Sequence, residues 1–337
     1  MNGRIEHKIC LEKKIQDKIM ENAPAYMGRY YYSLNQNSHT TKQRYITNVI
    51  RFLMFYGNDE YISEEKLKEI DAFDIERYIE SIQYIKKNDR VSELEGTTKA
   101  TIYSSLNSFF TFLKRYKYID ENPFSDKRIS RPRLKENDIV FLADDEVRNI
   151  ENAIINGCGT DLAASRQAEW KDRDMALFFI PLTTGLRVCA LSEINMEDID
   201  LENNRIIVTE KGNITKYIYI PNVTKKYLQK WISKRDELLK EKGKECEALF
   251  ISNRRTRMTV RSIEIIIQKY ATVVNGKHIT PHSLRRTFGT NAYQDSRDIY
   301  KVSKLLGHKD TSPTKRYVKV FDDDLAELVM NTASRYE

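Results

Sequence analysis

TPHSLRRTFGT at residues 280–290, KLLGHKD at 304–310 and TSPTKRY at 311–317 are three pieces of one stretch that offers, in order, His282, Arg285, His308 and Tyr317. Thr280 followed by Pro281 is a helix start: a hydroxyl caps the first turn, and the proline occupies a position whose N–H has no helical partner. His282 and Arg285 are three apart and share a face of that helix. Gly307 is the expected stop for the helix carrying Val302, Leu305 and Leu306, and His308 stands just past it. Ser312 and Pro313 start another short helix, which would hold Tyr317. Two histidines, an arginine and a tyrosine at consecutive element ends suit phosphate chemistry with a phenol nucleophile. Arginine grips two phosphate oxygens, histidine donates or accepts a proton, and tyrosine attacks.

Upstream, TTGLR at 183–187 follows the apolar run 175–182 and supplies a second arginine, Arg187. With these residues in place the chain resembles the tyrosine recombinases, the phage-type integrase family. The family's pattern is an arginine after T-G-L, a lysine in a β-hairpin, H-x-x-R, L-G-H, and a tyrosine nine residues beyond that histidine. Here these fall on Arg187, Lys211, His282, Arg285, His308 and Tyr317. G-L-R or H-x-x-R alone would be noise; the order and the nine-residue step carry the signal. The likeness covers residues 38–317 and is sharp from 183 onward. It implies a mainly α fold with a small β-hairpin or sheet: an N-terminal helical core-binding domain of the SAM-like kind, and an α+β catalytic domain.

Composition leaves room for this. A chain of 337 residues is comfortable for two domains, and 40% hydrophobic residues suffice for their cores. The net charge of +7 is a moderate basic excess that suits a polyanionic partner, as a lysine-rich soluble surface also would. Cys10, Cys158, Cys189 and Cys246 are scattered without a C-x-x-C pair, which argues against a zinc knuckle or a disulfide framework. The N-terminus lacks a signal-peptide apolar core, and the run at 175–182 is far too short to span a bilayer. The expected place of work is the cytoplasm, on double-stranded DNA.

In chain order, residues 1–37 read as a charged N-terminal segment with no separate arm-binding domain. Residues 38–126 read as the core-binding domain, with helices expected at 38–57, 63–67 and 74–85. A polar loop follows, then a long helix opened by Thr97 and Thr98. In that last helix Ile102, Leu106, Phe109, Leu113 and Tyr116 repeat at steps of four and three, which is a core stripe. Residues 127–140 form a basic linker holding Lys127, Arg128, Arg131, Arg133 and Lys135. It is either a solvated hinge or a strap along a phosphate backbone. Residues 141–337 read as the catalytic domain. Its stretch 157–172 is longer than the family's usual connection, an added loop or a helix extension. Residues 205–210 and 216–220 alternate as a β-hairpin around a glycine-asparagine turn. The loop NRRTRMT at 253–259 is basic, and Arg254 and Arg255 join Arg131, Arg133 and Arg286 as candidate DNA contacts. FDDDLAELVMN at 321–331 reads as a short amphipathic helix after the nucleophile, docking either on a neighbour or on its own domain.

The resemblance assigns the roles. Arg187 and Arg285 clamp the scissile phosphate as charge grows on it. Tyr317 attacks in line and forms a 3′-phosphotyrosyl link, with His282 as its base, since a phenol of reference pKa about 10 needs one. His308 donates a hydrogen bond to a phosphate oxygen. Lys211 protonates the departing 5′ oxygen, with Lys216, five residues on, as its competitor. No cofactor, metal or ATP is expected; a zinc site from His282 and His308 lacks a third ligand at metal spacing. Two departures stand out. Ala190 occupies a place that is often acidic, with Glu193 three further on. Arg286 stands where a histidine is common, as an added phosphate contact or a structural ion pair. The likeness further implies four protomers on two duplexes, C-terminal helix exchange between them, and accessory factors. Integrase or transposase-like recombinase is the leading reading. A dimer resolvase of the Xer kind, a relaxing enzyme like a type IB topoisomerase, and a DNA-binding regulator without catalysis are its competitors.

Overall fold

The computed structural model describes residues 23–82, 84–87, 90–126, 129–132, 140–210, 214–308, 311 and 314. The chain divides into two compact units, Met1–Asn137 and Asp138–Glu337.

The first unit is a helical bundle around an aromatic core. Helices α1 (Ala25–Ser33), α2 (His39–Tyr56), α3 (Glu64–Leu67) and α4 (Ala72–Ser81) are followed by strands β1 (Tyr84–Lys87) and β2 (Arg90–Glu93), and then by the long α5 (Gly96–Arg115). Starts are capped as the sequence demands. The Ser38 hydroxyl accepts from the Thr41 amide at 3.3 Å, and Asp71 and Asp74 form a reciprocal capping box. The α5 stripe Ile102, Leu106, Phe109 and Leu113 is buried, whereas Tyr116, expected to continue it, lies past the helix end and is exposed; Tyr30 meets Phe109 edge to face at 5.1 Å between centroids. Two polar groups inside this core are paired: the Asn48 side-chain amide donates to the Ser105 hydroxyl at 3.0 Å, and the Tyr26 hydroxyl donates to the Ile62 carbonyl at 2.9 Å.

Two features differ from the sequence reading. The bundle begins before Ser38, because Tyr26, Met27, Tyr30 and Tyr31 recur at one-and-four spacing and bury one face of α1. The expected helix 74–85 stops at Ser81, and the polar loop after it gives way to the antiparallel pair β1–β2, with Lys87 opposite Arg90. In the sequence only Asn88 and Asp89 separate those partners, a two-residue hairpin signal.

The second unit is built on α8 (Lys171–Thr184), which is buried nearly all round: Met175, Ala176, Leu177, Phe178, Phe179 and Ile180 are all inside. A helix apolar on every side must be enclosed by others. Here α10 (Asn222–Glu241) and α12 (Pro281–Ser296) lie against it, with α6 (Asp144–Asn156) and α11 (Val260–Tyr270) also in contact. The stretch 157–172, expected as an added loop or a helix extension, contains a short separate helix, α7 (Asp161–Ala168), capped by Thr160. A three-stranded antiparallel sheet runs β3 (Ile199–Asp200), β4 (Arg205–Glu210), β5 (Ile214–Tyr219). Ile206 and Val208 turn inward. Tyr217 and Tyr219 stand exposed on the other face, Tyr217 under the Arg205 guanidinium at 4.6 Å. No described helix is long and apolar enough to cross a membrane.

Candidate active site

The helix of the apolar run ends at Thr184, and Gly185 is its stop. That residue takes the left-handed conformation (φ 65°) and closes α8, its amide bonding the Pro181 carbonyl at 3.0 Å. Arg187 then becomes the N-cap of a separate short helix, α9 (Val188–Glu193). A Cβ built on Gly185 would lie 2.6 Å from Phe288 Cδ1 and 2.8 Å from Leu306 Cδ2, so this turn also sets how close α8 comes to α12 and α13 (Ile299–Leu306). Gly185→Ala adds left-handed strain to a steric clash and should cost about 1–3 kcal/mol. Scanning calorimetry should show a melting temperature lowered by about 3–10 °C.

Helix α12 starts as its sequence demands, with Thr280 capping, Pro281 at the first position and a reciprocal bond with Ser283. Arg285 projects inward and is 3% exposed. Its guanidinium donates to the carbonyls of Gly185 and Leu306 and lies 3.2 Å from His308 Nε2. One side chain therefore joins the ends of α8 and α13 to the start of α12. Gly307, left-handed at φ 65°, ends α13, and the His308 amide reaches back to the Ser303 carbonyl at 3.0 Å. The His308 ring is held on its other nitrogen, Nδ1, 2.8 Å from the Thr314 hydroxyl.

His282 sits beside this junction. Its pKa is pushed down to about 4, first by crowding of the ring, then by Arg286, Arg285, Arg187 and His308. The residue nonetheless keeps an exposed surface. The part of the shift that the cations cause would be relieved by an arriving phosphate, which neutralises them. All four groups lie within electrostatic reach of His282. The ring is neutral at physiological pH and able to take a proton. An NMR titration of His282, assigned with His282→Gln, should give a midpoint well below 6.5 that rises when DNA binds. Between pH 6.5 and about 4 the unfolded chain binds the proton and the folded chain does not. This residue therefore lowers stability as pH falls through that window.

The remaining candidates divide. Lys211, Tyr317, Arg133 and the expected helices at 312–317 and 321–331 lie outside the described residues. Lys216 is half-buried on β5 opposite Val208, on the inward face of the hairpin. Arg286 is half-buried beside His282, and Arg254 is exposed. Arg131 is exposed and lines an open groove of the first unit with Arg115, Ser104, Asn107 and Thr111.

Arg255 is a correction. It is buried, donates to the carbonyls of Leu238 (3.3 Å) and Asn253 (3.0 Å), and packs over Trp170 at 5.0 Å. Arg173 lies over the same indole at 4.4 Å. Arg255 is committed to the interior and presents no guanidinium to DNA.

Sequence reasoning passed over Arg257, which donates to the carbonyls of Ser192 (3.0 Å) and Ile194 (3.3 Å) and to the Asn195 side chain. It fixes the end of α9, whose other end carries Arg187. The lone signal was a third arginine in a basic loop, which says nothing about direction. Ala190 and Glu193 are both half-buried on α9. Among the described residues no group of three or more His, Cys, Asp or Glu could hold a metal ion.

Residues 141–323, more than half of the chain, match the model of the phage integrase family. The tyrosine recombinase XerC of Caldanaerobacter subterraneus subsp. tengcongensis is 29% identical over 89% of this chain and 83% of its own length. The XerC of Bacillus licheniformis is 30% identical over 70% of this chain and 76% of its own. Among solved structures, the XerH site-specific recombinase bound to its difH substrate in a pre-cleavage complex shares the fold. Its TM-score is 0.63 at 18% identity, over 89% of this chain and 81% of that one. The arginines and histidines gathered where α8, α12 and α13 meet thus sit inside a recognised domain, and the chain belongs to the phage integrase family, the tyrosine recombinases, enzymes that cleave and rejoin DNA.

Proposed function

We propose that this protein is a site-specific DNA recombinase that breaks and rejoins duplex DNA through a 3′-phosphotyrosyl link at Tyr317. The observation that carries the reading is the junction at Arg285, whose guanidinium touches Gly185, Leu306 and His308 while acting with Arg187 and Arg286 on His282. Arg285 also brackets helix ends, but Arg187 is exposed and Arg286 half-buried, so the cationic cluster opens to the surface, where it can meet an anion. Around a phosphodiester it supplies charge relief on the five-coordinate phosphorus. His282, neutral because its neighbours are cationic, takes the phenol proton of Tyr317. Arg187 and Arg285 hold the non-bridging oxygens. Lys211 protonates the leaving 5′ oxygen from the β4–β5 turn, with Lys216 as the alternative on the inward face of β5. The reaction so written needs neither metal nor ATP, because the phosphotyrosyl bond stores the energy of the broken phosphodiester.

The first unit supports the same reading. The groove carrying Arg115 and Arg131 offers two guanidinium groups beside the side-chain amide of Asn107, donors that phosphate oxygens take. Four protomers on two duplexes, acting in the cytoplasm two at a time, with the segment 321–331 exchanged between neighbours, complete the proposal; accessory factors would set direction. The curated relatives are named XerC, which favours dimer resolution over integration. The chemistry is common to both, and the DNA site separates them.

Covalent trapping tests the proposal. The full chain is mixed, in EDTA, with nicked suicide duplexes tiled from DNA flanking its gene and from the chromosome terminus, and run on a denaturing gel. A protein–DNA adduct on one tile is expected, and exchange between two copies of that tile should follow. Relaxation of supercoils without exchange would move the assignment to a topoisomerase. Sequence-specific binding without any adduct would move it to a regulator.

A further inference from the structure

We propose that Asn107 meets duplex DNA as a hydrogen-bond donor, and that Asn122 is the positioning residue that fixes which end of its amide faces the groove. This rests on the DNA-binding part of the recombinase reading above. The direction of the amide follows from a chain of hydrogen bonds with one fixed end. The Phe124 backbone N–H can only donate, and it meets Asn122 Oδ1 at 3.0 Å. Asn122 Nδ2 is then the other end of that side chain, and its partners must accept. They are Asn107 Oδ1 at 3.1 Å and the Thr111 hydroxyl oxygen at 3.2 Å. Thr111 accepts there because its own proton goes to the Asn107 carbonyl at 2.7 Å. The Asn107 amide therefore turns its oxygen to Asn122, and its Nδ2, with two N–H groups, is left for a ligand.

Asn107 is half-buried on the polar face of α5, in the open groove with Ser104, Thr111, Arg115 and Arg131. The hydroxyls beside it are spent on their own helix: Ser104 donates to the Ala100 carbonyl at 2.8 Å, as Thr111 does to Asn107. The Asn107 amide is not spent in this way. The residue that holds it is itself anchored. Asn122 caps the short 3-10 helix Pro123–Ser125, and the Phe124 ring packs against Tyr103 at 4.9 Å and Phe110 at 5.9 Å between centroids. An asparagine free to turn over offers an acceptor as readily as a donor. Held by Asn122, this one offers N–H and so selects acceptors: a purine N7, guanine O6, thymine O4 or a phosphate oxygen. The exocyclic amines of adenine and cytosine would meet it donor against donor.

The test compares full-length wild type with Asn107→Ala, Asn122→Ser and the double variant by filter-binding titration. The duplex is the one that traps an adduct or, where none does, one selected by binding from a random pool. Serine still accepts from the Phe124 amide but is too short to reach Asn107, and melting temperatures control for folding. Asn107→Ala should bind about 10-fold more weakly and Asn122→Ser about 3–10-fold. The double variant should bind no more weakly than Asn107→Ala alone, because Asn122 acts through Asn107. Base-pair substitutions across the site separate the two kinds of acceptor. With a base edge, Asn107→Ala becomes indifferent at one base pair where the wild type discriminates; with a phosphate, it weakens every sequence alike. Binding by Asn107→Ala within about twofold of wild type overturns the proposal, as does failure of the wild type to bind any duplex. Losses that add in full in the double variant overturn the role of Asn122. Binding without an adduct on any duplex removes the recombinase reading alone, since this comparison needs no cleavage.

Discussion

Tyr317→Phe should form no covalent adduct with a suicide duplex on which the wild type is trapped, a loss of at least about a thousandfold, while DNA affinity changes by no more than about twofold. The two parts have separate physical origins. Cleavage needs an oxygen that attacks phosphorus, and phenylalanine has none, so the covalent route closes entirely. Affinity for duplex DNA comes mainly from cations on phosphates and release of their counterions, to which a single phenol adds little. The chain has 20 tyrosines, and the choice among them rests on the nine-residue step from His308. Tyr300 is 75% exposed on α13, and Tyr293 on α12 packs against Val302 and Leu306 of α13, so both are the controls to test. An adduct that persists in Tyr317→Phe and vanishes in Tyr293→Phe or Tyr300→Phe would transfer the nucleophile to that residue. The measurement is a denaturing gel of end-labelled duplex, with a filter-binding titration of the same preparations.

Much of this was legible in the sequence, and the reason is local. Helix starts such as Thr280-Pro281, stops such as Gly307 and the alternation of residues 205–210 are set by neighbours within a few positions, and the folded chain obeys them. What escaped depended on direction or on distance in the chain. Helix α1 was passed over because its tyrosines sit in a segment that reads as charged and peripheral. Only their burial against α5 shows them to be core. The close approach of Phe288 and Leu306 to Gly185 gave no local signal, because both lie more than a hundred residues away in the chain.

The basic loop at 253–259 shows the limit most clearly. Arg254, Arg255 and Arg257 are indistinguishable by composition. Arg254 is exposed, Arg255 is committed to Trp170 and two carbonyls, and Arg257 to the end of α9. An arginine carries a long apolar stem and five donors, so it serves inside a fold as readily as on DNA. Thr314 escaped for a similar reason. A threonine in a turn is ordinary, and nothing in TSPTKRY says that its hydroxyl faces a histidine six residues back.

Arg285 combines both kinds of role, and its replacement should have the largest effect on the fold. Alanine there removes the donor to two main-chain carbonyls, Gly185 and Leu306, and the partner of His308 Nε2, all at a site that is 3% exposed. Hydrogen bonds from a charged donor contribute about 1.5–3 kcal/mol each, and buried carbonyls left without a partner keep their desolvation cost. A loss of about 3–5 kcal/mol is expected, which lowers the melting temperature of a unit this size by about 6–20 °C. Arg285→Lys separates the fold from the chemistry. Its ammonium keeps the charge and reaches one carbonyl, so a smaller loss of about 1–2 kcal/mol is expected. It cannot hold two carbonyls and a phosphate in one plane, so adduct formation should still fall at least about a hundredfold. Calorimetry and single-turnover trapping, run well below both melting temperatures, give the two numbers independently. A lysine variant that is stable and cleaves like the wild type would reduce Arg285 to a bracket between helices and leave Arg187 as the main phosphate clamp. A variant that is stable and inactive would show that the guanidinium fork itself is required on the phosphate.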